Sequence, residues 1–216
     1  MPEPNARTPS PRVARKREQA RRDILDAAQR VLGSGGTEAV TLASVADQLG
    51  MTKQALYHYF PSKEALLRSL VTTLLDEEIE ALTATMDEPG FTKDPLGNLI
   101  RAFYAHYSSR LDAFRTIYCQ SQLCGIADSG LDEATLRDKV HPRTRSLFDK
   151  LEDHLAGPNA NSARRRQVRQ LAYTAWCAAL GLMTILGVAD ATGDQLIHTD
   201  QELLDTLAGV FGNATA

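Results

Sequence analysis

Apolar residues along this 216-residue chain recur every three or four positions, the period of a helical face, and nowhere alternate as they would in a half-buried strand. Val13, Ala20, Ile24, Ala27, Ala28 and Val31 share one such face, so a first helix is expected from about Arg12 to the cluster Gly33, Gly35 and Gly36. Thr41 stands where an N-cap belongs before a second helix, Leu42 to Leu49, which Gly50 ends. Thr52 caps a third, very short helix reaching about Tyr59, and Pro61 closes it. Ser62 caps a fourth, Lys63 to about Met86, with Leu66, Leu67, Leu70, Leu74 and Ile79 on its inner side.

Beyond Pro89-Gly90 the predicted spans are Pro95 to Ser109, Asp112 to Leu123, Asp132 to Leu155, Ser162 to Ala189 and Asp200 to Phe211. Gly125, Gly130, Gly157-Pro158 and Gly193 separate them, and Pro142 should kink or split the third. The fold class is therefore all-α: an N-terminal three-helix helix-turn-helix domain followed by a C-terminal helical domain. The expected division is a disordered, proline-bearing arm over 1–11, a helix-turn-helix unit over 12–61 and a helical body over 62–216.

Composition narrows the class further. With 43% apolar and 24% charged residues the chain is an ordinary globular one. Three cysteines, Cys119, Cys124 and Cys177, are too few and odd in number for a disulfide framework, and the first thirty residues hold no apolar signal segment, so a cytoplasmic location is expected. The net charge of −3 hides a split: residues 1–70 carry 11 Lys/Arg against 7 Asp/Glu, and the remainder 13 against 20. A basic end on an acidic body suits an anionic partner, nucleic acid or an anionic membrane surface, and by charge alone is equally a solvated tail.

Two helices joined through Gly50, the second very short, have the dimensions of a helix-turn-helix. At 100° per residue Lys53, Gln54 and Tyr57 fall on one face of the short helix with His58 at its margin, while Ala55, Leu56 and Tyr59 fall on the other. Val45, Ala46, Leu49 and Met51 offer an apolar surface on which it can dock. Lys53 and Gln54 then lie in the first turn, where base-edge contacts concentrate. Thr41, Thr52 and Ser62, as caps, leave backbone N–H groups for phosphates, and Lys63 adds positive charge. The same aromatics have a plainer reading as packing residues, which helical phase favours for Tyr59 and Phe60.

Residues 21–67 resemble the DNA-binding domain of the tetracycline-repressor (TetR) family. The stretches R-D-I-L-D-A-A, G-T-E-A-V-T-L-A-S-V-A-D-Q-L-G-M and T-K-Q-A-L-Y-H-Y-F-P-S-K-E-A-L-L carry the likeness in order and spacing. The resemblance implies a homodimer that binds double-stranded DNA at an inverted-repeat operator, and a C-terminal body that holds a small-molecule effector pocket and the dimer contact. It implies DNA contacts at Thr41, Ser44, Thr52, Lys53, Gln54, Tyr57, His58 and Lys63. Ala43 stands near a place where some relatives carry a longer base-contacting side chain. The basic arm, longer than the family minimum, suggests added backbone or minor-groove contacts.

In the body, Leu171 to Ala189 has no charge, but its Thr, Gly and Ala content and its place as the lone such run argue for a buried helix rather than a membrane span. With the closing helix it is expected to build a twofold interface through Leu171, Ala175, Ala178, Leu182, Leu203, Leu204, Leu207 and Val210. Phe103, Tyr104, Tyr107, Phe114, Tyr118, Phe148 and Trp176 are the aromatic stock for a ligand pocket, with His106, Gln120 and Gln122 as polar companions. Cys119 and Cys124, five apart on one helix, point away from each other and read as thiols. The histidines lack metal-ligand spacing, no cofactor motif is present, and no phosphate loop or nucleophile elbow supports an enzyme. The expected function is a ligand-responsive repressor released by its effector. The competing reading is a helical interaction protein whose basic arm meets an anionic membrane surface.

Overall fold

A computed structural model describes residues 10–119 and 132–213; among them every regular element is helical. The chain folds as two compact units, one up to Leu70 and one from Val71. The division falls inside a helix rather than at Pro61, where the sequence pattern sets it. Leu66, Leu67 and Leu70 are all buried, and the Ser69 hydroxyl lies 3.5 Å from the Arg21 guanidinium, so the opening turns of that helix belong to the first unit's core.

In the first unit α1 spans Pro11–Ala39. Pro11 sits in its first turn, where no backbone donor is needed, so the helix begins one residue earlier than the arm boundary suggests. Residues 1–9 of that arm lie outside the described residues. Residues 11–19 are exposed throughout, and burial starts with Ile24, Ala27, Ala28, Val31 and Leu32. The glycine cluster does not end the helix at Gly33. Gly33 and Gly35 keep helical backbone at a propensity cost of about 1 kcal/mol each, and the break comes at Gly36, whose φ of 68° and ψ of −173° few other residues adopt. The short helices α2, Leu42–Gln48, and α3, Lys53–Tyr57, flank a turn in which Gly50 has φ 62°. Then α4 runs over Lys63–Met86.

The second unit holds a 3-10 turn at Phe91–Lys93, α5 at Pro95–Tyr107, and α6 at Leu111–Phe114, which widens into a π turn over Arg115–Cys119. Of the span expected to reach Leu123, the part from 120 lies outside the described residues. α7, Glu133–Thr135, passes through a second π turn, Leu136–Val140, into α8, His141–Ala156. Pro142 therefore does not break the predicted helix: the backbone stays helical through the widened turn, and Pro142 occupies the first turn of α8 just after it. α9, Ser162–Thr192, and α10, Asp200–Asn213, complete the unit. α5 packs against α9 and α10, and α8 against α9. Arg165 and Arg169 of α9 clasp Glu152, Asp153 and Asp149 of α8 at 2.7–3.1 Å.

α9 is exposed along one face in the single chain. It is long and apolar enough to cross a membrane by length and composition, with a mean hydropathy of 1.7 over its most apolar window, but only a third of that window is buried. Ala172, Ala175, Ala179, Met183 and Leu186 face inward, whereas Thr174, Cys177, Gly181, Thr184, Ile185 and Val188 are exposed. A single chain supplies neighbours to one face of this helix, so it is not buried on all sides.

Candidate nucleic-acid interface and ligand cavity

The helix-turn-helix is assembled from caps. Thr41 Oγ1 accepts from the Ser44 backbone N–H at 3.0 Å, and Ser44 Oγ accepts from the Thr41 N–H at 3.0 Å, a reciprocal box that fixes the start of α2. The Ser44 hydroxyl also donates to the Ala39 carbonyl at 2.7 Å, so it is already engaged within the chain. Thr52 Oγ1 accepts from the Ala55 N–H at 3.2 Å and starts α3. Leu56 is fully buried and Ala55 half-buried, while Thr52, Lys53, Gln54, Tyr57 and His58 are exposed. The polar flank is thus free, and the Lys53 ammonium lies 5.8 Å from the Tyr57 ring centre. Thr41 and Lys63 are half-buried, the latter 3.9 Å from the exposed Glu38 carboxylate.

Phe60 is buried and Tyr59 half-buried, as helical phase requires. Arg21, one of the basic residues of the amino-terminal charge run, proves structural: its guanidinium stacks 4.4 Å above the Phe60 ring and donates to the Tyr59 carbonyl at 2.9 Å. Its phase with Ile24, Ala28 and Val31 is the signal that marks it.

In the second unit Phe103, Phe148 and Trp176 line a cavity of about 50 Å³ together with Leu82, Ile100 and Ala175. The other predicted aromatics do not line it. Tyr107, Phe114 and Tyr118 pack edge-on around Phe103, with ring centres 5.1–6.3 Å from it. Tyr104 instead points to α10, its hydroxyl 3.4 Å from Asp200. The tyrosine cluster closes on Glu78, a buried carboxylate absent from the residues that the sequence pattern singles out. Tyr107 donates to Oε2 at 2.5 Å, and Tyr118 donates at 2.6 and 2.8 Å to the two oxygens. Burial pushes the Glu78 carboxyl up, and the two tyrosine hydrogen bonds partly offset this. Its phase with Leu74, Leu75 and Leu82 on α4 is the signal that could have found it. His106 Nε2 is buried without a hydrogen-bond partner among the described residues, and burial pushes its pKa down. Gln120, Gln122 and Cys124 lie outside the described residues. Burial raises the Cys119 thiol, and Cys177 is exposed. Among the described residues no group of His, Cys, Asp or Glu is placed to hold a metal ion.

Residues 24–70 match the family described as "Bacterial regulatory proteins, tetR family". Over these residues the chain carries that family's amino-terminal domain. It is 34% identical over 84 residues to the transcriptional regulator BetI of Rhizobium meliloti, covering 39% of this chain and 41% of that protein. The chain thus spans about two-fifths of BetI's length. It is 23% identical over 194 residues to the nucleoid occlusion factor SlmA of Idiomarina loihiensis, covering 90% and 91% of the two chains. A TetR/AcrR-family regulator of Thermobifida fusca shares the fold with a TM-score of 0.63 at 20% identity, over 90% of this chain and 97% of that one. The fatty acid degradation regulator FadR of Bacillus halodurans does so at 0.61 and 15%, over 89% and 94%.

Beside its cavity, the second unit has an outward face. Here the expected interface residues divide by their burial in the single chain. Ala175 and Leu204 are 4% and 3% exposed and face their own chain's core, Ala175 as a cavity wall. Leu171, Ala178, Leu182, Leu203 and Leu207 are half-buried, and Val210 is 62% exposed. The helix phase therefore turns the free stripe of α9 toward Thr174, Cys177, Gly181, Thr184, Ile185 and Val188, which the apolar pattern alone does not distinguish.

Proposed function

We propose that this chain is a ligand-responsive repressor that binds an inverted-repeat operator as a homodimer in the cytoplasm and is released by a small-molecule effector. The observation that carries the reading is the exposed flank of α3, held in place by the buried Leu56. Lys53 and Gln54 read base edges, with Tyr57 and His58 beside them, and Thr41, Ser44, Thr52 and Lys63 track the sugar-phosphate backbone. Two such helices about 34 Å apart match successive major grooves on one side of the duplex. The cavity in the second unit is far below the roughly 300 Å³ of an ordinary ligand site, so an effector selects a more open form, and its differential affinity sets how far the dimer shifts from the DNA-binding spacing.

Selection of bound fragments from the source genome, followed by band-shift assays on those duplexes, tests this. Recovery of a small set of palindromic sites beside genes supports it. Sedimentation with anionic liposomes and no duplex binding overturns it in favour of the membrane-surface reading. The alignment along 90% of the chain with a nucleoid occlusion factor supports a second reading, in which the bound dimer acts across the chromosome rather than at a promoter. Many dispersed sites in the same selection would favour that.

A further inference from the structure

An aromatic layer stands between the cavity and the buried carboxylate. Phe103 and Trp176 line the cavity, and Tyr118 packs against both, with ring centres 6.1 and 6.3 Å away, while its hydroxyl reaches Glu78. Glu78 is 4% exposed, and its hydrogen-bond partners among the described residues are two neutral hydroxyls. The nearby cation Arg110 is committed to Glu77 at 2.7 Å. A carboxylate accepts at about four lone-pair sites; here Oε1 receives only the longer arm of the Tyr118 hydroxyl, at 2.8 Å. A carboxyl buried behind that aromatic layer, with no cation paired to it among the described residues, is costly to ionise, and a cation brought to it offsets that cost.

We infer that the effector is a lipophilic amine, its hydrocarbon part filling the cavity and its protonated nitrogen reaching the Glu78 carboxylate in place of the Tyr118 hydroxyl. This rests on the ligand-responsive reading and names the ligand class for it. The remaining walls, Leu82, Leu96, Leu99, Leu147 and Leu151 among them, are aliphatic and select for hydrocarbon. A cationic head gains a charge-assisted hydrogen bond and the faces of Phe103, Tyr118 and Trp176. A carboxylate head meets like charge there, and a hydroxyl gains a neutral hydrogen bond only. The closed cavity of about 50 Å³ does not admit such a molecule as it stands, so Tyr118 and Trp176 move when it enters.

Trp176 is the single tryptophan of the chain and reports entry by its fluorescence. Three probes of matched length, n-octylamine, 1-octanol and octanoate, are titrated near neutral pH into the full-length protein and its variants. The wild type is expected to bind the amine about tenfold or more tightly than either other probe, the scale of one charge-assisted contact. Glu78→Gln removes that preference while leaving octanol affinity within about twofold. Tyr118→Phe, which frees one carboxylate site, keeps or increases the preference, and is informative even if Glu78→Gln does not fold by circular dichroism. Equal binding of the three probes, preference for octanoate, retention of the amine preference in folded Glu78→Gln, its loss in Tyr118→Phe, or no tryptophan response to any probe overturns the assignment. Band shifts on selected genomic duplexes with the same preparation keep the two readings apart. Duplex binding without amine preference removes this inference alone, whereas absence of duplex binding removes the repressor itself.

Discussion

At the residue scale, Lys53, Gln54 and Lys63 differ in exposure and so in the DNA role proposed for each. The first two extend from the exposed first turn of α3, and Lys63 stands half-buried at the start of α4 beside Glu38. Lys53→Ala and Gln54→Ala are expected to relax base preference at defined operator positions, at about 1–3 kcal/mol each. Lys63→Ala should weaken all sequences alike and reduce the salt slope by about 0.9. Binding titrations against single-base operator variants at two salt concentrations check this, and uniform losses from all three substitutions would contradict the assigned roles. Glu78 makes a second residue-scale prediction, on pH. Its folded pKa lies above its unfolded one, so its contribution to stability is complete below the unfolded value, near 4.5, and is lost as pH rises through the folded value. Relative to Glu78→Gln, the wild type should therefore lose stability from acid toward neutral pH. Paired denaturant titrations across that range measure the difference, and a flat or rising difference would show that the two tyrosine hydrogen bonds outweigh burial.

At the scale of elements, α3 is too short to be helical alone, since the nucleation cost far exceeds what its few internal hydrogen bonds return. It exists because Thr52 caps it and Leu56 anchors it. Leu56→Ala is expected to cost about 2–5 kcal/mol and to abolish binding to every duplex sequence together; a denaturant midpoint and a band shift check both, and a loss confined to DNA binding would mean that α3 is held by something else. The caps Thr41, Thr52 and Ser62 are legible in the sequence because a cap is a local device: one hydroxyl and one N–H three residues on. The length of α1 is not, because composition does not say which of three glycines takes positive φ. The role of Arg21 escapes a reading by charge for a related reason, since its partners are set by helical phase. The facing of α9 is hard to read because a run of alanines and leucines carries little phase of its own. Which side is inward is decided by Phe103 and Phe148 on α5 and α8, which share the cavity wall with Ala175.

At the scale of the whole molecule, the exposed stripe of α9 poses the remaining energetic question. Ile185 and Val188 are each 54% exposed and Val210 is 62% exposed, and they lie on the same two helices as the half-buried Leu182 and Leu207. Gly181 has no heavy atom within 4 Å of where a Cβ would stand, so that part of the stripe is open in the single chain and narrow enough for a second helix to approach closely. In a twofold dimer one stripe serves as both halves of the contact, so a charge placed on it enters twice, like facing like. Ile185→Glu combined with Val188→Glu is accordingly expected to give a monomer that keeps its helical content, because neither side chain is part of the single chain's core. Duplex affinity should fall by about 10²–10⁴-fold, since each reading helix then binds its half-site without the effective concentration its twin provides. Sedimentation velocity, circular dichroism and a band shift on one protein preparation separate the cases. A folded variant that remains dimeric would place the twofold contact on another surface, and a monomer with undiminished affinity would detach operator binding from dimerisation altogether.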